Sequence, residues 1–275
     1  MQSGALIVVG MHVAQPRLHA SGALVAWGNA WLTGHVGLDE AVDAMERAAG
    51  PGVIDGIPDV TGEVPLRRGL GDLRVAGLTE LRLALPVPGD PLGLPGPPEL
   101  NVAAIEAGGA AMINLAGNPA GLVPTEDRRG SSYVGVRWRM CEALPGPPDV
   151  PSLAEADHQL SLALRETTNA LLTVDDVSGR PPAMRPEILD ALAALRTSHR
   201  NEPTGGLAPG YPPRAHRVAA LAGRLAVVVE LARGLDGHNL SAEQMRRRAE
   251  ALNALDRAVR RARVAAHNSA FDPVP

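Results

Sequence analysis

Few residues in this 275-residue chain combine a reactive type with a usable spacing. Arg137 and Arg139 stand two apart in YVGVRWRM. On a strand they share one face and could fork a carboxylate or phosphate through charge-assisted hydrogen bonds. The plainer use of such charges is to protect a sheet edge. Glu155 and His158 form an E-x-x-H unit of the kind di-iron carboxylate bundles use, but those need a second unit and two further glutamates. Glu155 also completes a capping box with Ser152. The remaining histidines, His12, His19, His35, His199, His216, His238 and His267, have no H-x-x-x-H spacing and suit surface or capping positions. G-x-S-x-G is absent, and Cys141 has no histidine near it in sequence. There is no lysine, which removes a P-loop lysine, a Schiff base and a Ser–Lys dyad together. No residue is assigned as catalytic, no metal or cofactor is expected, and the motif content weighs against an enzyme.

The element with most to position is LRLALPVPGDPLGLPGPPELN, Leu81 to Asn101. Leu81, Leu83, Leu85 and Val87 alternate as a strand with one buried face. A loop stiffened by proline and glycine follows, from Pro88 to Pro98. Pro98 suits the first position of a helix, Glu99 its first turn, and Gly108 its end. A second strand is expected over Ala111 to Leu115, reached by a right-handed crossover. Ligands of open α/β sheets sit beyond strand ends near helix N-termini. Gly89, Asp90, Gly96, Glu99 and Asn101, with Arg137 and Arg139, are therefore the candidate ligand-binding residues, for a small anionic metabolite. Trp27, Trp31 and Leu94 are the expected apolar walls, although a Trp pair at i, i+4 more often belongs to a core.

Around that stretch the pattern predicts a weak strand at Leu6–Val9 and helices at Gly22–Leu32, Leu38–Ala48 and Leu66–Val75. Gly28, Gly69 and Gly71 weaken two of these helices. Gly69-Leu-Gly71 is no dinucleotide fingerprint, because Arg74 holds the third glycine position. Residues Gly117 to Ser132 read as a loop with a charged tip, and Tyr133 to Met140 as an edge strand. The Pro-rich run from Leu144 to Pro151 predicts a linker between an α/β domain (1–143) and a helical domain (152–275). The second part carries helices from Ser152 to about Thr173, Glu187 to about His199, Pro213 onward, and Ser241 to about His267. Capping boxes open the first and last, with Leu240 and Met245 as a staple. An antiparallel four-helix bundle is expected. The fold class is thus α+β or α/β, a small mixed sheet with helices followed by that bundle.

The formal net charge of −4 gives no general attraction to nucleic acid or anionic membrane. Against it, the last helix gathers arginines, of which Arg247, Arg257, Arg260 and Arg261 form a candidate interaction surface. Stacking aromatics do not accompany them, so an acidic protein partner, or self-association through the bundle, fits better than nucleic acid. The single cysteine excludes an intrachain disulfide and a multi-cysteine zinc site. Ala5–Gly10 is apolar but short and lacks a basic flank, so a cytoplasmic protein without a membrane span is expected.

LRLALPVPGDPLGLPGPPEL, GYPPRAHRVAALA and RRARVAAHN together resemble an uncharacterised family of hypothetical proteins from high-GC actinobacteria. That resemblance covers most of the chain from Trp27 onward, implies the two-part layout and a cytoplasmic location, and carries no activity. The expected function is a non-enzymatic interaction or adaptor protein. The alternative is a binding protein or enzyme for a small anionic metabolite at the Pro88–Pro98 loop.

Overall fold

The structure, a computed structural model, describes residues 20–129, 133–146, 149–178, 206–234 and 241–272. The expected strand at Leu6–Val9, helix at Glu187–His199 and staple residue Leu240 lie outside them. The described residues divide into two compact units, both of mixed sequence origin. The first takes in residues up to Val150 together with Leu207–Pro212 and the segment from His267; the second takes in Pro151–Gly206 and Pro213–Ala266.

The first unit is built on a six-stranded sheet of order β2-β1-β6-β5-β4-β3. Its elements are α1 (20–32), α2 (Leu38–Ala49), β1 (Gly52–Asp55), β2 (Val64–Pro65), α3 (Leu66–Val75) and β3 (Leu78–Ala84), then α4 (Pro98–Ala107), β4 (Ala110–Leu115), β5 (Asn118–Arg129) and β6 (Tyr133–Glu142). Strands β3 to β6 form an antiparallel meander, β1 runs parallel to β6, and β2 antiparallel to β1.

Three expectations change here. First, β3 and β4 are antiparallel neighbours with Ala84 opposite Ala110, so α4 joins them as a return and makes no crossover. The loop and helix N-terminus therefore do not stand at the carboxyl edge of a parallel sheet. Second, residues 118–129 are a strand. Alternation explains the charges: Arg128 pairs with Glu126 at 2.7 Å on one face, and Arg129 with Asp127 at 2.7 Å on the other. Pro124 is tolerated because it lies past the end of β4, where β5 has a neighbour on one side only. Third, β6 lies between β1 and β5 rather than at an edge. The four-residue β1 and two-residue β2 that cover it leave almost no periodic signal.

One sheet face carries Ile54, Leu81, Leu83, Ala111, Ile113, Leu122 and Trp138, all buried. Helices α1 and α3 lie close on it. A Cβ on Gly28 would come 2.8 Å from Leu81 Cδ1, and one on Gly69 2.8 Å from Ile54 Cδ1. Those two glycines cost helix propensity and permit close helix–strand approach. On the other face α4 packs Leu100, Ala104 and Ala107 with Leu94 against Ala84, Ala110 and Val123.

Edge strand β3 is closed by side chains. Asn29 Nδ2 donates to the Leu81 carbonyl and Asn29 Oδ1 accepts the Leu81 N–H, both at 2.8 Å. Asn268 repeats this on Leu83, accepting its N–H at 2.7 Å and donating to its carbonyl at 3.2 Å. Tyr211 lies between them: Asn29 Nδ2 donates to its oxygen at 3.4 Å, and its hydroxyl donates to the His267 carbonyl at 3.0 Å.

The second unit holds α5 (Leu153–Ser178), α6 (Pro213–Arg233) and α7 (Ala242–Asn268), the last up to Ala266. Its interior is Ala156 and Leu160, Val218, Ala222, Leu225 and Val229, and Leu252, Leu255, Val259 and Ala262. Both capping boxes form. Ser152 Oγ accepts the Glu155 N–H at 3.3 Å while Glu155 accepts the Ser152 N–H at 2.9 Å. Ser241 and Gln244 exchange the same pair of bonds at 3.2 and 2.8 Å. Thr167 Oγ1, buried, donates to the Ala251 carbonyl at 3.1 Å and ties α5 to α7.

Candidate functional site

The Pro88–Pro98 loop folds into two turns. Val87 and Asp90 exchange backbone hydrogen bonds at 3.0 and 2.9 Å, with Pro88 and Gly89 at the corner. Gly89, at φ 82°, supplies the left-handed conformation that a type II turn requires after proline. Asp90 is buried. A second turn closes from the Leu94 N–H to the Pro91 carbonyl at 3.1 Å, with Leu92 fully buried. The Gly96 carbonyl accepts the Leu144 N–H at 2.9 Å, which pins the loop to the segment after β6. In α4 the exposed Glu99 places a carboxylate at the helix N-terminus, the end that favours negative charge. Asn101 Oδ1 is buried with no hydrogen-bond partner among the described residues.

Beside the loop, on the α4 face, a cleft of about 280 Å³ opens between Gly93, Pro95, Leu144, Pro119, Met112 and the polar group Glu80, Arg82 and Asn114. Its one arginine is Arg82, already forked by Glu80 at 3.0 and 3.2 Å. The cleft is therefore close to neutral, with proline and leucine walls. Leu94 lies in the core under α4, and Trp31 lies under the Arg74 guanidinium at 4.9 Å. Neither lines the cleft.

Arg137 and Arg139 are not brought to this cleft. Arg137 stands opposite Thr125, four pairs along the ladder from the row of Met112, Gly121 and Cys141. That spacing is about 14 Å. There Arg137 meets Glu63 at 2.8 Å, Asp127 at 3.4 Å and Asp55 at 4.0 Å. Arg129 joins the same group through Glu63 at 2.6 Å and Asp127 at 2.7 Å. Two guanidinium groups thus face three carboxylates, an arrangement that stabilises itself and offers an incoming anion no net attraction. The hydrogen bond from Arg129 is the main cause that holds the Asp127 carboxyl below the usual range, with Arg137 adding to it against desolvation. Arg139 is exposed and makes no ion pair among the described residues. Sequence reasoning missed Arg82, Glu80 and Asn114; their shared face was legible only from the register of β3 on β4.

The second unit has its own groove, about 770 Å³, between Glu166, Thr167 and Ala170 of α5 and Glu243, Arg247, Glu250, Ala251 and Ala254 of α7. Alanines form its floor and charges its rim. Glu243 holds Arg247 at 2.7 Å and Arg246 at 2.8 Å, and Arg246 reaches Glu250 at 2.6 Å. Hydrogen bonds from Arg246 and then Arg247 lower the Glu243 carboxyl. Farther along α7, Arg257 is exposed and makes no ion pair among the described residues. Arg260 is largely covered, its side chain 12% exposed, and lies 3.5 Å from Asp256. Arg261 is half-buried. The four arginines thus divide into two accessible ones, Arg247 and Arg257, and two drawn inward. Glu155 is committed to its cap, and no metal-binding cluster occurs among the described residues.

Fold and surface together define a two-unit α+β protein in which a mixed sheet unit is combined with a helical one. Residues 21–152 match the family model for the N-terminal domain of Rv1486c-like proteins, and residues 154–264 the model for their C-terminal domain. The chain belongs to this family. It is 28% identical to the uncharacterized protein Rv1486c of Mycobacterium tuberculosis, over 89% of this chain and 94% of that one. It is also 28% identical to the uncharacterized protein ML1804 of Mycobacterium leprae, over 90% and 95% of the two chains. No solved structure matches it significantly. Among the described residues no helix is long and apolar enough to cross a membrane.

Proposed function

We propose that this chain is a non-enzymatic, cytoplasmic interaction protein that docks an acidic partner on the outer side of α7. The observation carrying this reading is the exposed guanidinium of Arg257, which makes no ion pair among the described residues, with the exposed Arg247 about three turns away on the same helix. In the same reading the second unit is an antiparallel four-helix bundle. The Leu144–Pro151 run then serves as the linker between the domains.

The test is a pull-down with the full chain and its Arg247→Glu/Arg257→Glu variant. The variant should lose a partner that the wild type retains at low salt, with its melting temperature nearly unchanged. Equal capture by both chains counts against the reading, and salt-sensitive binding to random DNA replaces it with a nucleic-acid one.

A second reading has its own observation, the cleft beside the Pro88–Pro98 loop. Because Glu80 already neutralises Arg82, this cleft suits a mainly apolar or zwitterionic small molecule better than a phosphorylated one. Gly89, Asp90, Gly96, Glu99 and Asn101 then shape the loop around the ligand. A thermal-shift screen of amino acids, nucleotides and sugar phosphates, repeated on Arg82→Ala, decides it. A ligand that stabilises the wild type alone supports the cleft, and no shift from any compound removes it.

A further inference from the structure

The polar end of the cleft beside the Pro88–Pro98 loop is an ion pair with bonding capacity left over. Arg82 donates from Nε and Nη2 to the two oxygens of Glu80, at 3.0 and 3.2 Å. A guanidinium has N–H groups beyond those two, and its Nη1–Nη2 edge can still fork a second carboxylate. Each Glu80 oxygen likewise keeps a lone pair for a further donor. Both side chains reach solvent, Arg82 being 44% exposed and Glu80 31%. Asn114 stands in the same cleft; its Oδ1 accepts the Gly117 N–H at 2.8 Å, and its Nδ2 donors have no partner among the described residues. To a lone anion or a lone cation this group offers attraction and repulsion of similar size. A molecule carrying both signs one carbon apart meets both favourably, its ammonium on Glu80 and its carboxylate on Arg82 and Asn114.

The other end is apolar, with Pro95, Met112, Pro119 and Leu144. Leu144 is 51% exposed although its backbone is fixed, its N–H donating to the Gly96 carbonyl at 2.9 Å. Gly96 lets it lie close, since a Cβ there would come 3.1 Å from Leu144 Cδ1. A leucine held in place with half its surface uncovered is a preformed wall for an apolar group. The volume of about 280 Å³ lies just under the roughly 300–1,000 Å³ of pockets that take drug-sized ligands, which limits the occupant to a smaller molecule. We propose, resting on the small-molecule reading of this cleft, that its ligand is a free α-amino acid with an aliphatic side chain. Its charged groups lie on Glu80 and Arg82, and its side chain on Leu144 and Pro95.

The experiment titrates the full chain with L-leucine, leucinamide and 4-methylpentanoate, followed by NMR. Leucinamide lacks the carboxylate, and 4-methylpentanoate the ammonium. L-leucine should bind at least about tenfold more tightly than either, because each has lost one charge-assisted contact. Arg82→Gln should weaken L-leucine binding by a similar factor. If leucinamide or 4-methylpentanoate binds as tightly as L-leucine, the cleft still takes a small molecule but the amino-acid proposal falls. Binding by none of the three overturns the proposal and, with the thermal-shift screen also blank, the small-molecule reading as well. L-leucine binding that Arg82→Gln leaves unchanged puts the site elsewhere and overturns the proposal. If Arg82→Gln does not fold, the wild type decides: L-leucine should shift the resonances of Gly93, Asn114 and Gly117, and shifts confined to other residues overturn it.

Discussion

Asp127 shows how one side chain can belong to a network that its own neighbourhood does not disclose. Arg129, two residues on, is visible in the sequence, whereas Asp55 of β1 and Glu63, just before β2, lie more than sixty residues earlier. Because its folded carboxyl is held below the unfolded value, Asp127 contributes stability that is complete above about pH 4 and is lost as pH falls through the depressed folded value. Asp127→Asn should therefore lower the melting temperature at pH 7 and flatten its dependence as pH falls below about 4. An unchanged acid limb would show that the network contributes nothing. Tyr211 makes a complementary case. Its hydroxyl is buried, burial pushes its pKa up, and it stays a neutral donor across the working range. Tyr211→Phe leaves the buried His267 carbonyl without that donor and should cost about 1–3 kcal/mol in denaturant unfolding. The alternation that paired Arg137 with Arg139 was legible; the carboxylates that occupy Arg137 were not, since register on β1 is a long-range property.

At the scale of elements, α3 separates two effects of glycine. A Cβ on Gly69 would meet three atoms of the buried Ile54 between 2.8 and 3.2 Å, and β-branched isoleucine has little rotamer freedom with which to yield. A Cβ on Gly71 meets nothing within 4 Å. Gly69→Ala should destabilise by about 1–3 kcal/mol through overpacking, whereas Gly71→Ala should stabilise by about 0.5–1 kcal/mol through helix propensity. Chemical denaturation of the two variants checks both signs, and equal shifts would contradict the packing seen here. At the start of α5, Ser152→Ala removes the acceptor for the Glu155 N–H and the donor to its carboxylate, and should cost about 1 kcal/mol. The helices were readable because caps, proline starts and 3.6-residue periodicity are local. β5 was not, because prolines and a charge cluster gave it the composition of a loop, and only pairing with β6 makes those residues a strand.

At the scale of the molecule, the first unit takes residues from three separate stretches of the chain. Ending the chain after Ala266 removes Asn268 and the His267 carbonyl together, so it should destabilise the sheet unit far more than loss of an exposed tail. Differential scanning calorimetry of the shortened chain reads this directly; a melting profile like that of the full chain would mean that the segment is dispensable. The sequence by itself determined the class of each half, the main helices and their caps, the strand–loop–helix stretch around Leu81–Asn101 and the family. It did so because hydrophobic period, proline, glycine and capping residues act over a few positions. Tertiary structure alone decided that β3 and β4 are antiparallel, that β6 is interior, that Arg82 rather than Arg137 borders the cleft, and that Asn29 and Asn268 seal β3. Each of these depends on which distant backbone groups come to lie opposite one another, and that is fixed only when the whole sheet satisfies its hydrogen bonds at once.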